Sequence, residues 1–133
     1  MASGTQTDQL TTPIDPGPVV LSVRVDRPSP PGGGDHVRVH VAGELDLATA
    51  GVLSRALLDL IQEGWRRLDV ELAGVRFCDG AGLGALQSGG QRLRAAGGTL
   101  TVHDPCWSLR FLLDLFELDQ QLQPRGPARP DHA

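Results

Sequence analysis

Lysine is absent from this chain; all twelve of its basic residues are arginine. Across the body of the sequence they are scattered (Arg24, Arg38, Arg55, Arg66, Arg67, Arg76, Arg92, Arg94, Arg110) and never form a basic run. The net charge is −4, and the aromatic set is two Trp, three Phe and no Tyr. The chain therefore lacks both the cationic stripe that tracks phosphates and the platforms on which single strands stack, which excludes a nucleic-acid partner. Without lysine there is no P-loop either. No apolar run approaches the roughly 20 residues of a membrane helix. The opening MASGTQTDQLTTPIDPG has neither a charged n-region nor an apolar h-region, so no secretory leader is expected. Two cysteines, Cys78 and Cys106, do not make a disulfide framework. A cytoplasmic protein, monomeric or weakly dimeric, is the expectation.

What remains is enough for one domain: 133 residues, 40% of them hydrophobic. Proline marks its edges. Of ten prolines, six fall within residues 1–31 and three within 124–133. Residues 1–17 and 124–133 are accordingly read as flexible tails around a folded unit over 18–123.

Within that unit the hydrophobic period changes repeatedly. PVVLSVRV (18–25) and HVRVHVAG (36–43) read as strands, the second with Val37, Val39 and Val41 inward and Arg38 and His40 wet. The run RPSPPGGGD between them is all breakers. Leu53, Leu57 and Leu60/Ile61 then recur at helical spacing, with Asp46 or Thr49 as cap and Gly64 as stop. RRLDVELAGV (66–75) is a third strand, and the glycine-punctuated FCDGAGLGAL opens a helix reaching about Ala96. TLTV (99–102) is a fourth strand. SLRFLLDLFEL (108–118) is a third helix with Leu109, Leu112, Leu113 and Phe116 inward. The order β-β-α-β-α-β-α predicts an α/β domain with a mostly parallel sheet of four to five strands.

The informative stretch is Cys78-Asp79-Gly80-Ala81-Gly82-Leu83-Gly84-Ala85, set between a strand and a helix. Gly80, Gly82 and Ala85 formally match the dinucleotide fingerprint G-x-G-x-x-G/A, with Asp104 as its acidic residue. The loop follows the third strand instead of the first, however, and the chain is too short for both nucleotide-binding halves. Cys78, Asp79, His103 and Cys106 match no closed metal site. Nor does any oxyanion hole or substrate pocket accompany a Cys–His pair. No catalytic residue, metal or cofactor is expected.

A family accounts for the same residues better. HVAGELDLATA (40–50), ELAGVRFCDGAGLGAL (71–86) and RAAGGTLTVHDP (94–105), in that order, resemble the STAS domain, and specifically bacterial anti-sigma factor antagonists. Gly43-Glu44-Leu45-Asp46-Leu47-Ala48-Thr49 matches the motif G-x-L-D-x-x-T. Asp79-Gly80-Ala81-Gly82-Leu83-Gly84 stands where the family has D-S-S-G-L-G. The resemblance implies a non-catalytic binding module that docks on an ATP-binding, serine-kinase-fold anti-sigma factor and so frees a sigma factor for transcription. It implies partner contacts at Glu44, Asp46, Thr49, Asp79, Gly80, Ala81, Gly82, Leu83 and Gly84. In the family, phosphorylation of the second serine of D-S-S-G releases the partner. Here Gly80 and Ala81 occupy both serine places, so that acceptor is lost. Diversion to another partner, such as a signalling scaffold or a lipid-transport complex, is the alternative, and a small nucleotide-binding protein a further one. In the implied fold Cys78 and Cys106 follow neighbouring strands on one edge, close enough for a disulfide to be conceivable. They form a candidate redox pair.

Overall fold

The computed structural model describes residues 5–11, 21–28 and 36–126. Five strands and four helices follow in the order β1 (Thr5–Thr11), β2 (Leu21–Pro28), β3 (His36–Leu45), α1 (Ala50–Glu63), β4 (Arg67–Cys78), α2 (Gly80–Ala95), β5 (Thr99–His103), α3 (Trp107–Leu115) and α4 (Asp119–Leu122). Residues 18–20 of the expected first strand, the breakers at 29–35, and 1–4, 12–17 and 127–133 of the tails lie outside the described residues.

The strands lie side by side in chain order. β1, β2 and β3 follow one another directly and pair antiparallel. β3, β4 and β5 are separated by α1 and α2 and pair parallel. The sheet is therefore mixed, with two pairings of each kind, instead of mostly parallel. Direct succession of strands favours antiparallel pairing, whereas a helical crossover returns the chain in the same direction.

Valine alternation builds the centre. Val23 pairs with Val41 and Val25 with Val39 across β2 and β3, and Val37, Val39, Val70 and Val102 are fully buried. α1 contributes Leu53, Leu57 and Leu60 to the same core, each such side chain contributing about 1.5–3 kcal/mol relative to exposure. Gly64, at φ 106°, closes α1 in the left-handed conformation glycine tolerates best. The wet residues of β2, β3 and β4 form a lattice of polar contacts: the ion pairs Arg24–Asp26 at 3.1 Å and Arg38–Glu71 at 3.6 Å, and His40 Nε2 at 2.9 Å from Asp26. Asp69, 8% exposed, lies between His36 and His103.

Four boundaries differ from the sequence expectation. Thr5–Thr11, assigned above to a flexible tail, is strand β1, paired residue for residue with β2 from Thr5↔Pro28 to Thr11↔Ser22. Its threonines favour extended backbone, yet the segment has almost no apolar signal to announce a strand. β4 continues to Cys78 past two register irregularities opposite β3, which blur its alternation. α3 ends at Leu115 because Glu117 adopts φ 55°. Phe116, expected inward, is consequently 58% exposed, while Leu118 takes a buried place. At the other end, Arg125 belongs to the fold: its N–H donates to the Val102 carbonyl (2.9 Å) and its carbonyl accepts from Asp104 N–H (2.8 Å).

Candidate functional site

The last register pairs between β3 and β4 are Glu44↔Phe77 and Leu45↔Cys78. Asp79 N–H then donates to the Leu45 carbonyl (3.2 Å). Two loops therefore leave the same sheet edge side by side, one beginning with Asp46 and the other with Asp79.

In the first loop Asp46 Oδ1 accepts from the N–H groups of Ala48 (3.0 Å) and Thr49 (3.2 Å). The Thr49 hydroxyl donates to the Glu44 carbonyl (2.7 Å) and accepts from Asp46 N–H (3.0 Å). Asp46, not Thr49, thus supplies the carboxylate that orders the turn into α1. Thr49 is wholly buried, so its expected contact with a partner is corrected: it ties the loop from within.

In the second loop Asp79 caps α2. Its Oδ1 accepts from Ala81 N–H (2.9 Å) and Gly82 N–H (3.1 Å), two of the donors a helix start leaves unsatisfied. Gly82 is required by packing. A Cβ there would lie 2.6 Å from the Leu45 carbonyl oxygen and 2.7 Å from Cys78 Sγ. Gly84 has open space around it. Of the predicted contact residues, Gly80 and Gly84 are exposed, and Glu44, Asp46, Asp79 and Ala81 are half-buried. Gly82 and Leu83 are buried, and like Thr49 they shape the surface without forming it. Glu44 is held by Arg76 at 3.4 Å.

Sequence reasoning missed Leu47, 83% exposed between Asp46 and Ala48, which occupies a variable position of the motif. Trp107, which the sequence alone assigns neither to the core nor to the surface, is 56% exposed. α3 runs beside the Asp79 loop, and an open groove of about 560 Å³ is lined by Cys78, Asp79, Gly80, Trp107, Phe111 and Leu112. The spacing of Trp107 and Phe111 on one helical face was the available signal.

Both cysteines are free and buried, so the conceivable disulfide is not formed. The Ser108 hydroxyl stands between the Cys78 main chain and the Cys106 thiol: it accepts from Cys78 N–H (3.1 Å) and lies 3.3 Å from Cys106 Sγ. His103 does not join them; its Nε2 is 2.9 Å from Asp69 Oδ1. Among the described residues no cluster of His, Cys, Asp or Glu could hold a metal ion, and no helix is long and apolar enough to cross a membrane.

An anti-sigma factor antagonist from Mycobacterium paratuberculosis has a similar structure, with a TM-score of 0.70 and 22% identity over 84% of this chain and 90% of its own. TM1081 from Thermotoga maritima follows at 0.65 and 20%, over 70% of this chain and 80% of its own. The Bacillus cell fate determinant SpoIIAA, in its phosphorylated form, is similar at 0.57 and 19%, over 68% and 82%. At such identities the likeness is one of fold. No curated protein matches the chain in sequence. The family model described as Mlab, STAS domain matches residues 31–124, which takes in both loops of the site and the sheet edge that carries them. The chain belongs to the STAS domain family.

Proposed function

We propose that this chain is an anti-sigma factor antagonist: a non-enzymatic cytoplasmic module that docks on a kinase-fold anti-sigma factor and frees a sigma factor. The observation that carries the proposal is the start of α2. Asp79 caps it as a phosphorylatable loop would need, yet Ala81 stands at the acceptor position with its N–H bound to Asp79. A phosphate placed there would lie at the positive end of the helix, beside a carboxylate that already takes the Ala81 and Gly82 N–H groups, and would set nearly two negative charges in the docking surface. This chain keeps the cap and the neighbouring Asp46 turn while lacking the hydroxyl. It is therefore a partner that phosphorylation at this loop cannot dislodge.

The same loss favours a second reading, in which the module serves a different partner such as a signalling scaffold or a lipid-transport complex. Titration against purified kinase-fold anti-sigma factors from the same organism decides between them. Binding that persists after incubation with ATP, with no mass gain on this chain, supports the first; absence of binding to all of them supports the second.

A further inference from the structure

We propose that the interaction surface extends from the Asp46–Asp79 edge onto α3, and that it receives a partner segment pairing a basic side chain with a large apolar one. The inference rests on the docking role argued above and names the chemistry of its occupant.

α3 is apolar on two faces. Leu109 and Leu113 are fully buried, while Trp107, Phe111 and Leu115 are 56%, 56% and 58% exposed. Residues spaced by four lie within about 80° of one another, so these three form a single outward row. Isolated exposed apolar side chains are ordinary; a row that continues into the groove beside Asp79 and Gly80 marks a binding site. A tryptophan in such a patch is a usual anchor of an interface.

The charges around the row select the occupant. Asp46 and Asp79 each cap with Oδ1, and among the described residues neither Oδ2 has a partner. Arg110, the only base on α3, is held by Asp114 (2.5 Å) and Asp119 (2.8 Å). Among the described residues the surface thus offers apolar area and carboxylate oxygen, and the cations beside it, Arg76 and Arg110, are already paired with acids. An anionic lipid surface would be repelled. A second copy in a two-fold contact would bring the same acidic edge against itself. A protein segment with arginine or lysine beside an apolar side chain satisfies both features.

The test titrates a purified kinase-fold anti-sigma factor with the wild-type chain, with Asp46→Ala, and with Trp107→Ala/Phe111→Ser, all shown folded by circular dichroism. At least tenfold weaker binding by the α3 double variant, with salt-sensitive wild-type affinity, is expected. Weakening by Asp46→Ala but not by the α3 variant overturns the proposal and leaves the functional reading standing. If the wild type binds no such partner, that reading fails, and a second arm judges this proposal alone. Short helical peptides of equal apolar content carry either arginine or glutamate. Binding confined to the arginine set and lost in Trp107→Ala supports the surface; equal binding of both sets, or of neither, overturns it. Trp107-dependent self-association, or Trp107-dependent binding to phosphatidylglycerol vesicles, overturns it in favour of the other occupants.

Discussion

Asp46 and Asp79 are joined through one carbonyl: the main chain of Asp79 donates to Leu45, the residue immediately before Asp46. The two helix starts are thereby fixed to a single point on the sheet edge. A change that shifts the Leu45 carbonyl is therefore expected to reach both loops.

Ala81→Ser is expected to create a phosphoacceptor. With a cognate kinase-fold partner and ATP, intact mass should rise by one phosphate in the variant and stay unchanged in the wild type. Ala81→Glu should weaken partner binding without altering the circular dichroism spectrum, since it adds a negative charge at the same place. Phosphate on wild-type Ser88, exposed within α2, would contradict the reading of an unswitchable module.

Gly82 and Gly84 are two residues apart and should respond oppositely to alanine. At Gly82 the new methyl meets the Leu45 backbone, and overpacking of this kind costs about 1–3 kcal/mol. At Gly84 nothing obstructs it, and the helix should gain about 0.5–1 kcal/mol. Urea unfolding midpoints measure both.

Thr49→Val removes a buried hydroxyl that serves the Glu44 carbonyl and the Asp46 N–H. Leaving those groups unsatisfied should cost about 1–3 kcal/mol. It should also weaken partner binding, by loosening Asp46, although Thr49 is itself buried. Restored affinity in Thr49→Ser, which keeps the hydroxyl, would assign the effect to the hydrogen bonds.

Glu63 is held below its ordinary value of 4.5, chiefly by its hydrogen bond from Arg27. The pair joins β2 to the end of α1 at 2.8 Å. A depressed carboxyl stabilises the fold above the unfolded value and loses that contribution as pH falls through the folded one. Acid unfolding of Glu63→Gln should therefore resemble the wild type below that range, and lag behind it in stability above 4.5. Equal stability of the two at neutral pH would show the pair to be neutral, as exposed pairs can be.

The free, buried thiols predict indifference to redox state. In denaturant both Cys78 and Cys106 should alkylate, and partner affinity should be the same with and without reductant. A mass deficit of two hydrogens in the native protein would restore the bridge that the sequence made conceivable.

The central strands, α1 and the Asp79 helix start were legible because each carries a periodic apolar pattern or a glycine cluster. β1 was not, because Thr5–Thr11 contributes backbone pairing without an apolar alternation. The end of α3 was not, because the stop depends on a left-handed Glu117 and not on glycine or proline. Within the site, the motif residues were found but their exposure was not. Thr49 and Leu83 face inward, and Leu47 and the row on α3 face outward, which only the packing of loops against the sheet decides.

Arg125 brings a practical consequence. By bonding to Val102 and Asp104 it occupies main-chain groups at the outer side of β5. A strand edge with open N–H and C=O groups is a template for unwanted pairing between chains. Shortening the protein at Gln123 would strip that cover and turn a shielded margin into an adhesive one, so a well-behaved recombinant fragment should keep residues through Gly126.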